Sequence, residues 1–225
     1  MKNLCIVCHP DDEILGFGGT ASKLISEGDE VKVVFLCSEV SKRAIKSSNE
    51  KLTQEIMDVQ NYMNFEKAIL GKFPNLEFNN INHFELVNFI EEQIIDYNPH
   101  RLFIHHHSDL NDDHRHANKA CLVAARYFQR NQNFKSNLQS IYTMEILSST
   151  DWSFDTLGNF NPNVFVNIED HLEKKLNALD LYKNVYRDFP NPRSKIAIES
   201  LSKIRGSQSG FFNSESFECV FKNKI

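Results

Sequence analysis

The sequence lacks the features that would direct the protein to a membrane or to a nucleic acid. None of its apolar runs is long enough to span a bilayer, and the first residues lack the basic and apolar regions of a signal peptide. A formal net charge of −5 and a pI near 6.0 provide no attraction for a polyanion, and the basic residues are scattered. We therefore expect a cytoplasmic protein that neither binds nucleic acid nor inserts stably into a membrane.

Cysteine is also scarce. Five cysteines are an odd number, and Cys5, Cys8 and Cys37 lie on predicted strands, which favours reduced and buried thiols over a disulfide framework. Cys5 and Cys8 have the spacing of a redox motif. Because residues three apart on a strand point to opposite faces, core packing is the better interpretation of this pair.

The chain contains neither a repeat nor a linker-like segment, so its 225 residues suit a single domain over 1–225, with a less regular C-terminal elaboration from about 150 to 225. Apolar runs alternate with amphipathic stretches, which predicts an α/β fold with a mostly parallel sheet and helices on both faces. The predicted strands cover 4–8, 31–37, 67–70, 101–104, 140–144, 164–168 and 217–221. The predicted helices cover 15–26, 50–64, 83–97, 117–128, 169–187 and 195–205.

Two polar clusters follow predicted strands. The first strand ends in His-Pro-Asp-Asp-Glu over 9–13, and the fourth runs into the histidine-rich and aspartate-rich segment 105–114. Carboxylates packed together repel each other unless a cation lies among them, and neighbouring imidazoles favour a transition metal. Helix capping would explain one carboxylate of the first cluster, not three carboxylates and a histidine. Both clusters fall at the carboxyl ends of strands, where α/β folds bind ligands, so they predict one metal site.

The paired motifs resemble those of the PIG-L/LmbE family of zinc-dependent N-deacetylases. The resemblance is carried by His9-Pro10-Asp11-Asp12-Glu13 and by Asp109-Leu110-Asn111-Asp112-Asp113-His114, with further likeness at 145–152, 192–194 and 205–206. It implies a Rossmann-like fold and a metal-dependent hydrolase that removes an acetyl group from an N-acetylated amino sugar or a related small glycoside. The glycines at 16, 18 and 19 follow an acidic cluster that would repel phosphate, so they indicate close packing and not a dinucleotide site.

Carried over residue by residue, the resemblance implies a role for each of several side chains. His9, Asp12 and His114 would be the metal ligands, Asp11 the general base that takes a proton from the attacking water, and Asp113 a residue that orients an imidazole or a substrate donor. The implied metal is Zn²⁺, and an open set of two histidines and one carboxylate also accepts Fe²⁺, Co²⁺ or Mn²⁺.

The chain departs from the family pattern at its proton donors. Many members have a histidine at the position of Asn111, and relatives have another at that of Asn191. An amide donates a hydrogen bond but delivers no proton, so Asn111 is predicted to bind substrate, and His107 is the predicted substitute acid. A structural interpretation of 105–107, with one imidazole buried and two solvated, stays open beside it. Arg193 is predicted to contact an anionic group of the substrate.

Three functions therefore stay open. The first is the N-deacetylase. The second is an amidase that acts on a larger glycoside conjugate, and the third is a metal-bound sugar-binding protein with impaired catalysis, which the two asparagines suggest. Trp152 and the eighteen phenylalanines are predicted to lie in the core and not to form a sugar-stacking platform. The sequence is compatible with a homo-oligomer.

Overall fold

The computed structural model describes residues 1–39, 48–154, 158–183 and 185–223. Its strands are β1 (Lys2–Val7), β2 (Glu30–Phe35), β3 (Ile69–Leu70), β4 (Arg101–His105), β5 (Ser140–Met144), β6 (Val164–Asn167) and β7 (Ser214–Lys222). Its helices are α1 (Asp12–Ser26), α2 (Asn49–Met63), α3 (His83–Tyr97), α4 (Asp112–Ala125), α5 (Tyr127–Arg130), α6 (Leu172–Leu181) and α7 (Lys195–Ser209).

All seven strands form one sheet in the order β3-β2-β1-β4-β5-β7-β6. The first five pair in parallel, and β7 runs antiparallel to both β5 and β6. The predicted mostly parallel α/β sheet is therefore confirmed. The chain order reverses between β1 and β4, and the carboxyl ends of these two strands flank the crevice where such folds bind ligands.

A separate apolar core lies on each face of the sheet. Alternate residues of β1 divide between the two cores: Cys5 belongs to the core beneath α1, α2, α6 and α7, whereas Cys8, directly after β1, belongs to the core beneath α3 and α4. The opposite orientation of these thiols is thus confirmed, and all five cysteines are free. Among the residues described, no helix is long and apolar enough to cross a membrane.

Several predicted boundaries were wrong, and two of the shifts concern function. Helix α1 begins at Asp12, three residues before its predicted start, and α4 begins at Asp112, five residues early. Acidic residues at helix N-termini are favoured by the macrodipole, so the polar clusters extend the helices instead of preceding them. The predicted helix over 169–187 is a 3₁₀ turn followed by α6, which ends at Leu181.

The glycines of α1 serve close packing, as predicted. A Cβ on Gly16 would lie 2.6 Å from Ile146 Cδ1, and one on Gly19 would lie 2.8 Å from Ile168 Cδ1. Both distances are shorter than van der Waals contact, so any larger side chain would push α1 away from the sheet. The helix that carries Asp12 and Glu13 is therefore fixed firmly against its neighbours.

Candidate metal and active site

Three donor atoms from two segments meet at the carboxyl ends of β1 and β4. His9 follows β1, Asp12 is the first residue of α1, and His114 lies in the first turn of α4. His9 Nδ1 lies 3.3 Å from His114 Nε2, and Asp12 Oδ2 lies 3.4 Å and 3.2 Å from these two atoms respectively. The three predicted ligands, far apart in the sequence, thus form a nearly equilateral triangle of donor atoms.

The size of this triangle fits a metal ion. Ligands arranged tetrahedrally at about 2.05 Å from zinc are separated by about 3.3 Å, close to the three distances between the donor atoms here. Asp12 Oδ1 is buried without a hydrogen-bond partner among the described residues. Two imidazoles and one carboxylate at this spacing form one face of a tetrahedron and leave its fourth vertex for water or substrate.

Each imidazole of the triangle has a carboxylate at its other nitrogen. Asp113 Oδ2 lies 3.1 Å from His9 Nε2, and Asp109 Oδ2 lies 3.0 Å from His114 Nδ1. Such carboxylates hold a ligating histidine in one tautomer and one orientation. Asp113 is itself held by the backbone N–H groups of Leu76 and Phe78.

Asp109 is buried and has no free oxygen. Its Oδ2 also accepts hydrogen bonds from the hydroxyls of Ser149 and Thr150, and its Oδ1 accepts one from the backbone N–H of Asn111. No separate role for Asp109 was predicted from the sequence. Its position just after β4 and five residues before His114 was the available signal.

A second group of possible ligands shares His114 with the first and consists only of buried residues: Cys8, His105 and His114. The rings of His105 and His114 are stacked, with centroids 3.7 Å apart and planes inclined by 17°. A metal binds an imidazole in the plane of the ring, and nearly parallel planes at this separation do not converge on one ion. His105 Nε2 instead accepts a hydrogen bond from the backbone N–H of Cys8, which makes it a structural residue.

The buried carboxylates around the triangle favour a cation at its centre. Burial opposes ionisation of Asp12, yet the charge and hydrogen bonds of His114 and His9 hold its pKa well below its usual range. Burial likewise opposes protonation of His114, but Asp12 and Asp109 raise its pKa to about 10. The buried carboxylates thus stabilise positive charge at this position, which an imidazolium or a divalent metal can supply.

Asp11 lies beside the triangle in a strained backbone conformation. It caps α1 with φ 106° and ψ −31°, a region that costs an L-residue about 1–3 kcal/mol. Its Oδ2 accepts a hydrogen bond of 2.8 Å from Arg193 Nη1, and Arg193 Nε donates to Ser148 Oγ. Burial raises the pKa of Asp11 to about 6, although the Arg193 guanidinium opposes this rise. Asp11 thus combines a side chain near the metal donors with a pKa close to neutrality.

The other predicted site residues lie outside the triangle. Arg193 pairs with Asp11, so its positive charge is already engaged by the protein. Asn111 caps α4: its side-chain oxygen accepts a hydrogen bond from the backbone N–H of Asp113. The prediction of one buried and two solvated imidazoles in 105–107 was wrong, because His105 and His106 are buried and only His107 is exposed. His106 is held by Ser108 and Glu218.

The prediction that Trp152 lies in the core was also wrong. Trp152 is 52% exposed and packs edge-on against Phe154, which is 66% exposed. The two aromatic residues follow Ser149 and Thr150, whose hydroxyls hold Asp109, by only a few positions in the sequence. Composition alone cannot identify such a tryptophan, since most large aromatic side chains are buried.

The fold and the donor set define an α/β protein with a candidate mononuclear metal site at its topological switch point. The chain belongs to the PIG-L family: the family model, described as GlcNAc-PI de-N-acetylase, matches residues 4–125. This segment contains all three donor residues of the triangle. The family predicted from the two motifs is therefore confirmed.

Solved structures of the same fold accompany this match. The conserved protein TT1542 from Thermus thermophilus has a TM-score of 0.79 at 18% identity, over 99% of this chain and 96% of the other. The N,N'-diacetylchitobiose deacetylase from Pyrococcus horikoshii has a TM-score of 0.75 at 19% identity, over 97% and 83%. GalB, the 4-carboxy-2-hydroxymuconate hydratase from Pseudomonas putida KT2440, has a TM-score of 0.76 at 16% identity, over 100% and 98%. One fold thus carries a deacetylase and a hydratase, so the reaction must be argued from the site.

Proposed function

We propose that the protein is a zinc-dependent N-deacetylase that hydrolyses the acetamide of an N-acetylated amino sugar or a related small glycoside, in the cytoplasm. The donor triangle of His9, Asp12 and His114 carries the proposal, because its edges match the ligand spacing of a tetrahedral metal. Membership of a family of de-N-acetylases and the fold shared with a diacetylchitobiose deacetylase support the reaction class.

His9, Asp12 and His114 would hold the metal, with Fe²⁺, Co²⁺ or Mn²⁺ as alternatives to Zn²⁺. When bound there, zinc lowers the pKa of water and polarises a carbonyl oxygen. Asp113 and Asp109 keep the two imidazoles in the tautomers that direct His9 Nδ1 and His114 Nε2 at the metal position.

Asp11 is the proposed general base. It cannot share the metal with Asp12, because adjacent side chains diverge, and its pKa of about 6 lets it be ionised at neutral pH and still accept a proton. Arg193 directs the carboxylate through the contact with Oδ2 and is in turn held by Ser148. After accepting a proton from the attacking water, Asp11 can return it to the leaving amine, which becomes a good leaving group only when protonated.

His107 is the second residue that could protonate the leaving amine. Asn111 delivers no proton and its oxygen caps α4, although its amide group can still donate a hydrogen bond to substrate. His107 is exposed, and its ring lies 4.2 Å from that of His106. His107 therefore stays a proposed acid, with Asp11 as the alternative proton source.

Acetate release tests the proposal. Metal-free protein reconstituted with zinc is incubated with N-acetylglucosamine derivatives that are free, nucleotide-linked or lipid-linked, and acetate is measured. We expect release that requires both the metal and Asp11, with the Asp11→Asn variant as control. Full metal content with no acetate released from any derivative would contradict the deacetylase.

A second candidate is amide cleavage in a larger glycoside conjugate. The exposed aromatic pair of Trp152 and Phe154 favours it, because these rings offer apolar area beyond what one acetylated sugar would cover. Product analysis separates the two functions, since the conjugate reaction would release an amine and an acid other than acetate.

A further inference from the structure

The turn that carries the proposed general base needs support from the protein. Asp11 has φ 106°, whereas non-glycine residues rarely adopt positive φ. On one side, its carbonyl accepts hydrogen bonds from the N–H groups of Ile14 and Leu15 in the first turn of α1. On the other side, its N–H group donates a hydrogen bond of 3.0 Å to Glu13 Oε2. The direction of the Asp11 side chain depends on this conformation.

Glu13 connects that turn to a distant part of the chain. It is fully buried, and while Oε2 accepts from the Asp11 N–H, Oε1 accepts a hydrogen bond of 2.6 Å from the Tyr182 hydroxyl. Both oxygens of one buried carboxylate are thus used, one by the strained turn and one by a residue 169 positions further along.

The rest of the structure holds Tyr182, the hydrogen-bond partner of Glu13, in a fixed position. It follows directly after α6 and is 3% exposed. Lys175 links helix α6 to α1, because its Nζ donates a hydrogen bond of 2.7 Å to the Leu15 carbonyl. It donates another of 2.7 Å to Glu215. Glu215 in turn accepts from the N–H groups of Gly19 and Thr20 in the middle of α1. Because these contacts are buried, the position of Tyr182 relative to α1 is well defined.

We infer that Glu13 and Tyr182 are positioning residues: together they hold the Asp11 turn at positive φ and so direct the Asp11 carboxylate toward the reacting atoms. The consequence for catalysis rests on the proposed function, whereas the conformational part does not. Both residues are buried, and neither contributes a donor atom to the metal triangle.

A purely structural role makes different predictions. If Glu13 only capped α1, its loss would lower stability and leave kcat per folded molecule unchanged. If it positions Asp11, kcat falls while KM and metal content stay the same, since an error of 1 Å in the position of a catalytic group costs about 10²-fold in rate.

Four variants separate these roles. Tyr182→Phe removes one hydroxyl, and Glu13→Leu removes both acceptors. Glu13→Gln can keep the link, because its carbonyl can accept from the Asp11 N–H and its amide can donate to the Tyr182 oxygen. Tyr186→Phe is the matched control, because it removes a tyrosine hydroxyl bonded to the Leu176 carbonyl and not to Glu13.

We expect kcat to fall about tenfold in Tyr182→Phe and about 10²-fold in Glu13→Leu, with recovery to within about threefold in Glu13→Gln and no change in Tyr186→Phe. Zinc content and KM should stay at wild-type values. Crystal structures of the variants should show Asp11 leaving positive φ, or its Oδ2 moving away from Arg193, in Tyr182→Phe and Glu13→Leu.

Wild-type kcat in Tyr182→Phe together with an unchanged Asp11 turn in its crystal structure would overturn the inference. If the wild-type protein releases no acetate from any derivative, the proposed function fails, but the crystal structures still decide whether Glu13 and Tyr182 hold the turn. Should Glu13→Leu not fold, Tyr182→Phe and Glu13→Gln give the same decision.

Discussion

Replacing Asp109 by asparagine should weaken metal binding although Asp109 touches no metal. In the native protein Oδ1 accepts from the Asn111 N–H, and Oδ2 faces His114 Nδ1 and the hydroxyls of Ser149 and Thr150. In the variant the remaining oxygen must stay on the backbone N–H, so the new NH₂ group faces His114. The hydroxyls can turn and accept from this group, but the imidazole must move its proton from Nδ1 to Nε2. A protonated Nε2 binds no metal.

The expected loss is about 10-fold to 100-fold in metal affinity, which is typical for carboxylates behind a ligating histidine. This corresponds to about 1.4 to 2.8 kcal/mol. A second effect acts in the opposite direction. Asp109 helps to raise the pKa of His114 to about 10, so its removal reduces the proton's competition with metal at neutral pH. The affinity loss should therefore be larger at pH 9 than at pH 7.

The assay is titration of metal-free protein with zinc against a chromogenic chelator at both pH values. Asp112→Asn is the matched control, because this carboxylate begins the same helix, pairs with Arg115 and is half-exposed. A zinc Kd in Asp109→Asn equal to or lower than that of the wild type at pH 9 would refute the tautomer argument, and so would an equal loss in the control.

Four further outcomes are expected. Asp11→Asn should retain zinc and lose about 10²-fold to 10⁴-fold in kcat, as measured by acetate release, because only the proton acceptor is removed; an unchanged rate would assign the base elsewhere. The zinc affinity of the wild type should rise with pH between about pH 6 and pH 9, by about tenfold per pH unit where only His114, whose pKa is about 10, carries a proton that metal must displace. The rise should be steeper where His9 is protonated too, since hydrogen bonds to Asp113 and Asp12 raise its pKa despite its burial; calorimetry showing a flat profile would contradict this. Trp152→Ala should raise KM about threefold to tenfold with kcat retained, and an unchanged KM would exclude substrate contact by the exposed ring. His107→Ala should lower kcat with full zinc content if His107 protonates the amine, whereas an unaffected kcat would leave that step to Asp11.

The sequence was informative where function depends on short segments at strand ends. His9 and Asp12 lie three residues apart after β1, and His114 lies nine residues after β4, so the parallel sheet alone brings them together. Helix capping and the proposed metal binding are also compatible in this turn. Asp11 is the N-cap residue of α1 through its backbone, with no side-chain cap, which leaves its carboxylate for Arg193 and for chemistry.

The contacts that support Asp11, the proposed base, were not predictable in the same way. Arg193 meets Asp11 across 182 residues of sequence, and Tyr182 meets Glu13 across 169. No periodicity or spacing relates such positions, because periodicity describes neighbours along one element and these contacts join segments far apart in the sequence. The same applies to Trp152, whose exposure follows from a short 3₁₀ helix that no local pattern indicated.

The two halves of the site thus come from different parts of the chain. The proposed metal donors and the carboxylates behind them lie between residues 9 and 114, inside the segment that the family model matches. Of the groups that hold Asp11, Glu13 lies inside it, whereas Arg193, its partner Ser148 and Tyr182, which acts through Glu13, come from beyond it. Because the donor triangle makes none of its contacts through these later residues, substitutions there can change the position of the base without changing metal affinity. Substitutions at Arg193 or Tyr182 should therefore lower turnover with zinc content retained, whereas substitutions at the three donor residues should lower both, because the proposed reaction requires the metal.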